Sequence, residues 1–213
     1  MDHYASFSEL GDSEREGVDY AVRLWRREGA LTVVLAPHGG GIEPGSSEVA
    51  RTIAGSELSL ALFEGFKSRG NSRLHVTSTG FDEPRCLELL RGAEYVVAIH
   101  GEKSGRAVTF LGGRDAALGE CIRRALESRG FAVEVHENAE LQGAATANIC
   151  NRGRRGQGVQ LELAFGLRKR FFESLTAAGR TRPTGEQARY AAAVREGLRA
   201  GGALPRSGSA PTI

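Results

Sequence analysis

Apolar and polar positions along the chain follow two periods, and together they predict strands interleaved with helices. Continuous apolar runs at 31–37 and 94–100 are typical of strands buried on both faces of a sheet. The segment 114–129 carries apolar residues at helical spacing and is followed by Gly130, a common helix stop. The remaining predicted elements are helices at Tyr20–Arg27, 46–54, 83–91, 167–178 and 185–200, and strands at 58–65, 73–79, 107–113, 131–137 and 158–165.

This order of elements predicts an α/β fold, an open three-layer sandwich with a mixed, mostly parallel sheet. Two pairs of predicted strands follow one another closely, 58–65 with 73–79 and 94–100 with 107–113, and could supply the antiparallel members. Neither an internal repeat nor a domain-scale linker interrupts the pattern. We therefore expect a single domain over residues 1–200 and a flexible C-terminal tail over 201–213.

Composition narrows the class of protein. The chain has 213 residues, 25% of them charged, and a formal net charge of +2, which is typical of an ordinary globular protein without a broad basic surface. We therefore expect no nucleic-acid partner. No apolar run approaches the roughly 20 residues that cross a bilayer, and the polar N-terminus does not resemble a secretory signal. These features favour a cytoplasmic protein without a membrane partner; the sequence does not encode an oligomeric state, and we favour a monomer.

Side chains that could bind a metal ion lie at the ends of two predicted strands. His38 follows the run at 31–37, His100 ends the run at 94–100, and Glu43 lies beyond His38 across three glycines. Ligands of open α/β sheets bind beyond the carboxyl ends of strands, and two imidazoles with one carboxylate are the ligand set of catalytic zinc. We therefore expect one Zn²⁺ per chain, although such a set accepts other divalent ions. The alternative for each histidine is an ordinary hydrogen-bonding role at a strand end.

A further carboxylate lies within a buried strand. Glu162 stands between Leu161 and Leu163, where burial would raise its pKa and suit it to act as the general base. His75, in the middle of a predicted strand, is expected to have a structural role.

An arginine- and asparagine-rich segment follows at 148–156. Asn151 and Arg154 in this segment, and Arg168 after Glu162, are candidates to bind a substrate carboxylate, because guanidinium groups form paired hydrogen bonds with carboxylates. The alternative is a solvated basic loop.

Taken in order, five segments resemble successive motifs of the poly-γ-glutamate hydrolase family, which includes phage enzymes and bacterial relatives once labelled phage-related replication proteins. The resemblance spans about residues 31–170 and leaves out 1–30 and 171–213. It implies a fold similar to zinc carboxypeptidases, a metal site of His38, Glu43 and His100, and Glu162 in the position of the carboxypeptidase general base. Four residues lie between the His and the Glu of the first motif here, against two in carboxypeptidases. The segments are HGGGIEPGSSEVARTIA, FEGFKS and NSRLHVTSTGFDEP, AIHG, VTFLGGRD, and NICNRGRRGQGVQLELAFGLR.

The sequence thus predicts a zinc-dependent amidohydrolase that cleaves γ-glutamyl amide bonds in an anionic, poly-γ-glutamate-like substrate. One alternative is hydrolysis of a small N-acyl amino acid or metabolite amide, because the catalytic residues specify amide hydrolysis and not chain length. A second alternative is a metal-binding relative without activity.

Overall fold

The structure, a computed structural model, describes residues 2–205, and a seven-stranded sheet forms its centre. Its strands are β1 (Tyr20–Trp25), β2 (Thr32–Gly40), β3 (Ser59–Gly65), β4 (Tyr95–Glu102), β5 (Val108–Gly113), β6 (Ala132–Glu134) and β7 (Val159–Ala164). They lie in the order β1-β3-β2-β4-β7-β5-β6. The four central strands are parallel, β1 is antiparallel to β3, and β5 is antiparallel to β7 but parallel to β6. The predicted mixed, mostly parallel sheet is confirmed.

Helices cover both faces of this sheet. They are α1 (Phe7–Ser13), α2 (Ser46–Ala54), α3 (Pro84–Arg91), α4 (Ala116–Ser128), α5 (Phe165–Phe171), α6 (Ala177–Arg180) and α7 (Gly185–Ala200). Side chains of α2, α4, α5 and α7 pack on one face, against residues such as Val34 and Leu161. Side chains of α1 and α3 pack on the other face, against residues such as Leu35 and Ala98. The predicted α/β three-layer sandwich is therefore confirmed.

The segment predicted as a helix at Tyr20–Arg27 is instead the edge strand β1. Its residues pair with β3 from Tyr20 opposite Gly65 to Trp25 opposite Leu60. A short apolar segment fits both periods, and here pairing with a neighbouring strand decides the outcome. The prediction also missed α1, which lies within the polar N-terminal segment.

The prediction of a strand at 73–79 is also wrong. A 3₁₀ turn covers Asn71–Leu74, and an irregular segment follows it. Neither of the two closely spaced pairs forms adjacent strands, because β3 pairs with β1 and β2, while β7 lies between β4 and β5. The strands that run antiparallel to the four central strands are β1, β5 and β6.

The C-terminal part differs from the prediction in two places. The helix predicted at 167–178 is divided into α5 and α6. The predicted flexible tail begins with residues that pack into the core, since Ala203 and Leu204 are buried. The rest of that tail, 206–213, lies outside the described residues. Within residues 2–205, no helix has the length and apolar character required to span a bilayer.

Candidate active site

An irregularity near the end of β2 sets the direction of His38. The pairing of β2 with β3 shifts register between Ala36 and Gly39, so the strict alternation of faces is broken there. Val34 and Ala36 face the α2/α7 layer, and uninterrupted alternation would send His38 the same way. The His38 ring instead lies beside Phe81, in the core under α1 and α3. This is the face on which His100 stands, in line with Val96 and Ala98 of β4.

The glycine run after His38 forms a tight turn that returns Glu43 to the histidine. The Glu43 backbone N–H donates to the His38 carbonyl at 2.9 Å. Gly40 has a φ of +65°, and a Cβ at Gly39 would lie only 2.0 Å from Ser47 Oγ. Side chains at these positions would strain or obstruct the turn, so glycine is required for structural reasons.

The three side chains that the sequence analysis proposed as metal ligands lie close together. His38 Nδ1 lies 3.2 Å from His100 Nδ1 and 3.3 Å from Glu43 Oε1, and His100 Nδ1 lies 3.7 Å from Glu43 Oε2. Ligand atoms on a tetrahedral zinc ion with bonds of 2.0–2.1 Å are about 3.3 Å apart. The distances from His38 Nδ1 to the other two groups are close to this value, while Glu43 approaches His38 through Oε1 and His100 through Oε2.

Hydrogen bonds to backbone groups orient the side chains of His38 and Glu43. His38 Nε2 donates to the Val76 carbonyl at 2.7 Å, which leaves the Nδ1 lone pair directed at the cluster. The Gly101 backbone N–H donates to Glu43 Oε2 at 2.8 Å. His100 Nε2 is buried and has no hydrogen-bond partner within residues 2–205.

The charges of the cluster depend on one another. Burial alone would raise the pKa of Glu43, but the neighbouring His38 and His100 and the Gly101 N–H outweigh burial and lower it to about 2. Burial lowers the pKa of His38, but the Glu43 carboxylate more than compensates, so the net shift is upward. Burial, with the charge of His38, lowers the pKa of His100 to about 3. An ionised carboxylate and a neutral imidazole are the forms that bind a metal.

Glu162 lies next to this cluster on β7, opposite His100 in the strand register. It is buried, and burial together with the charges of Glu43 and Glu102 raises its pKa well above the ordinary value. Gln160 Nε2 donates to Glu162 Oε1 at 3.0 Å. The strand thus holds a carboxyl group of high proton affinity beside the donor set.

His75 is a member of the site that the sequence analysis assigned to a structural role. Its Nε2 lies 3.7 Å from Glu43 Oε1, and His38, Glu43 and His75 offer ligand atoms that all lie within 4.8 Å of one another. Burial and the charge of His38 lower the pKa of His75. The sequence contains one indication of this role, a histidine among threonines and serines. The predicted strand at 73–79 led instead to a structural role for His75.

The three residues predicted to bind substrate do not line the cleft, and each has another role. The amide of Asn151 is fully used inside the protein, since it donates to the Gly143 and Ala145 carbonyls and accepts from the Gly158 N–H. Its side chain therefore fixes the loop.

Arg154 pairs with Glu94, which precedes β4, whereas His100 lies near the opposite end of that strand. His100 comes six positions after Glu94 along an extended chain, a distance of about 20 Å. Arg168 is buried and donates to the carbonyls of Leu163, Pro44 and Glu102, so it ties together the backbone segments behind the site.

A cleft of about 310 Å³ opens over the donor set. Its walls come from the segment after the 3₁₀ turn, the end of β4, the loop before β7, and β7 itself. Lys103 is the only lysine or arginine among the described residues that line it. The residues lining the cleft are His38, Glu43, His75, Thr77, Ser78, Thr79, His100, Gly101, Glu102, Lys103, Glu140, Leu141, Asn148, Gln160 and Glu162.

Comparison with known proteins gives a consistent result. Residues 4–193 match the family described as poly-gamma-glutamate hydrolase. The UPF0714 protein YmaC of Bacillus subtilis (strain 168) is 40% identical over 173 residues, which cover 81% of this chain and 73% of that protein. The solved structure of a bacteriophage poly-gamma-glutamate hydrolase aligns with a TM-score of 0.90 at 35% identity, over 94% of this chain and 98% of that one. A zinc-free structure of YndL aligns with a TM-score of 0.86 at 36% identity, over 93% and 98% of the two chains. The chain therefore belongs to the poly-γ-glutamate hydrolase family, a family of hydrolases that act on amide bonds, as its sequence motifs predict.

Proposed function

We propose that this protein is a zinc-dependent amidohydrolase that cleaves γ-glutamyl amide bonds in a poly-γ-glutamate-like substrate. The observation that carries the proposal is the convergence of His38 Nδ1, His100 Nδ1 and the Glu43 carboxylate beside the buried Glu162. Membership of the family and the close similarity to the phage hydrolase support the class of substrate.

His38, Glu43 and His100 would hold the metal, one ion per chain. The short distances from His38 Nδ1 to His100 Nδ1 and Glu43 Oε1, and the hydrogen bond that frees His38 Nδ1, support a divalent ion bound beside these atoms. A bound Zn²⁺ would polarise the scissile carbonyl and promote deprotonation of an attacking water.

Glu162 is the general base in this proposal. It takes a proton from the attacking water as the new C–O bond forms, and it gives that proton to the amine nitrogen as the C–N bond breaks. The products are a carboxylic acid and an amine. The raised pKa of Glu162 suits both transfers, because burial makes the carboxylate a stronger proton acceptor than an exposed one.

Recognition of the substrate's free carboxylates falls to groups other than the predicted arginines. Lys103 supplies a positive charge at the cleft, and Thr77, Ser78 and Thr79 supply hydroxyl and backbone groups on a neighbouring wall. A carboxylate beside the reacting amide would find both a cation and hydrogen-bond donors there.

Two substitutions test the roles of the metal and the base. His38→Ala should lose both zinc and hydrolysis, since it removes a central donor. Glu162→Gln should retain zinc but lower kcat about 10²–10⁴-fold, because it removes only the proton acceptor. Zinc content by elemental analysis, together with cleavage of poly-γ-glutamate, provides the measurement. Full activity in Glu162→Gln, or in wild-type protein freed of metal, would overturn the proposal.

A substrate screen separates the remaining alternatives. Poly-γ-glutamate is compared with small γ-glutamyl and N-acyl amides under the same conditions. Cleavage of the small amides alone would identify a small-molecule amidohydrolase. Stoichiometric zinc without turnover on any amide would identify a metal-binding relative without activity.

A further inference from the structure

A pair of side chains outside the predicted ligand set reaches the candidate metal centre. His75 Nδ1 lies 2.8 Å from Asp2 Oδ1, while Asp2 Oδ2 accepts a hydrogen bond from the Thr77 N–H at 2.6 Å. An ionised carboxylate only accepts hydrogen bonds, so the proton of the neutral imidazole lies on Nδ1. The lone pair of Nε2 is then free to accept a hydrogen bond.

That Nε2 faces the centre. It lies 3.7 Å from Glu43 Oε1, and His75 lines the same cleft as Glu162. The side chain of His75 is 33% exposed, against 2% for His38 and His100. His75 is therefore the histidine of this cluster that a molecule in the cleft can reach.

The stacking of His75 on His38 distinguishes His75 from the proposed metal ligands. The two ring centroids are 4.0 Å apart with 31° between the planes. A zinc ion lies close to the plane of the imidazole that binds it, about 2.0–2.1 Å from the nitrogen. Because His75 lies over the face of the His38 ring, its Nε2 is displaced from that plane. This placement suits a hydrogen bond to a small molecule in the cleft.

We propose that Asp2 and His75 act as one unit, in which His75 Nε2 accepts a hydrogen bond from the water that attacks the amide. The water has two protons: Glu162 takes one, and His75 holds the other. With both hydrogens held, an oxygen lone pair points at the scissile carbonyl carbon. His75 is then a catalytic residue, and Asp2 is the positioning residue that fixes its tautomer. The inference rests on the proposed hydrolysis, since it concerns the nucleophile of that reaction.

Substitution of each partner tests the unit. His75→Ala removes the acceptor and is expected to lower kcat about 10- to 100-fold with little change in KM. Asp2→Asn places an amide group beside Nδ1 of His75. This amide can donate to Nδ1 and shift the ring proton to Nε2, so a similar decrease in kcat is expected. The double variant should lose no more than the larger single loss, because the two side chains serve one function.

Two measurements other than activity accompany the kinetics. Ring nitrogen spectra of ¹⁵N-labelled protein should show the Nδ1–H tautomer of His75 in the wild type and the Nε2–H tautomer in Asp2→Asn. Zinc affinity, measured by competition with a chelator, should stay unchanged in both single variants.

Asp82→Asn is the matched control. Asp82 Oδ1 accepts from the Phe7 and Ser8 N–H groups at 2.7 and 3.2 Å, so it anchors the same N-terminal segment without contributing to the cleft. This variant should unfold at a lower temperature and keep its kcat.

Three outcomes would overturn the inference. These are unchanged kcat in His75→Ala and Asp2→Asn, an Nε2–H tautomer in the wild type, or loss of zinc affinity in His75→Ala, which would make His75 a ligand. A zinc-loaded wild type that hydrolyses no amide would instead overturn the proposed function. The tautomer measurement would still report on the Asp2–His75 pair in that case.

Discussion

At the scale of single residues, the orientation of Glu162 depends on Gln160. Gln160 stands two residues earlier on β7, on the same face of the strand. Its Nε2 donates to Glu162 Oε1 and to the Leu141 carbonyl, both at 3.0 Å, and its Oε1 accepts from Asn148 Nδ2 at 3.0 Å. Every polar atom of this amide is engaged, so one oxygen of Glu162 is fixed while the other remains available for the proton of a water.

We expect Gln160→Leu to lower kcat about 10- to 100-fold, because Glu162 loses its fixed orientation. Zinc affinity should not change, since no donor is removed. Gln187→Leu is the matched control, because Gln187 is also buried and donates to the Glu48 carbonyl and to Thr52 Oγ1 in the α2–α7 interface. The control should lower the unfolding temperature and keep kcat. Steady-state kinetics provide the measurement. A wild-type kcat in Gln160→Leu would contradict the role of Gln160 in orienting Glu162.

The sequence identifies some of these residues and conceals others for physical reasons. His38, His100 and Glu162 stand out because each is a polar group at the end of, or within, an apolar strand. Asn151 and Arg168 form hydrogen bonds with backbone groups that the fold brings close. Because residue type alone does not specify these partners, the sequence could not predict the structural roles of the two side chains. The loop arginines suggested carboxylate binding, but the fold directs Arg154 to Glu94, away from the cleft.

At the scale of elements, strand periodicity predicts the sheet but not the site. Periodicity alone would place His38 on the opposite face from His100, and the register shift near Gly39 removes this conflict. Sequence patterns do not fix the position of such a shift, because it depends on how β2 pairs with β3. The same limit explains β1, whose strand character depends on pairing with β3.

A substitution at Gly101, near the end of β4, tests how tightly this strand packs against Glu43 and Arg168. A Cβ on Gly101 would lie 2.7 Å from Arg168 Cζ and 2.9 Å from Glu43 Cβ. Gly101→Ala should therefore displace Glu43 and weaken zinc binding about tenfold or more, as overpacking costs roughly 1–3 kcal/mol. Gly105→Ala, between β4 and β5, is the control, because a Cβ there would meet no atom within 4 Å. Chelator competition measures both variants, and equal zinc affinities would show that the neighbours of Gly101 adjust without cost.

At the scale of the whole molecule, the proposed metal site joins elements that are distant in sequence. His38 lies near the end of β2, Glu43 belongs to the following turn, and His100 stands on β4, so the three donors meet only when the central sheet has formed. An ion that binds only the folded chain stabilises it by mass action. Metal binding should therefore be visible in the unfolding of the entire protein.

Free zinc at about 100 times its Kd should stabilise the fold by about 2.7 kcal/mol. For a chain of this size, the increase in Tm would be about 5–10 °C. Removal of the metal with a chelator should reverse the shift. Glu162→Gln should show the same increase as the wild type because it retains all three donors, whereas His38→Ala should show none. Thermal unfolding followed by circular dichroism, with and without zinc, provides the measurement. An equal increase in His38→Ala would show that zinc acts through other residues and would contradict the proposed ligand set.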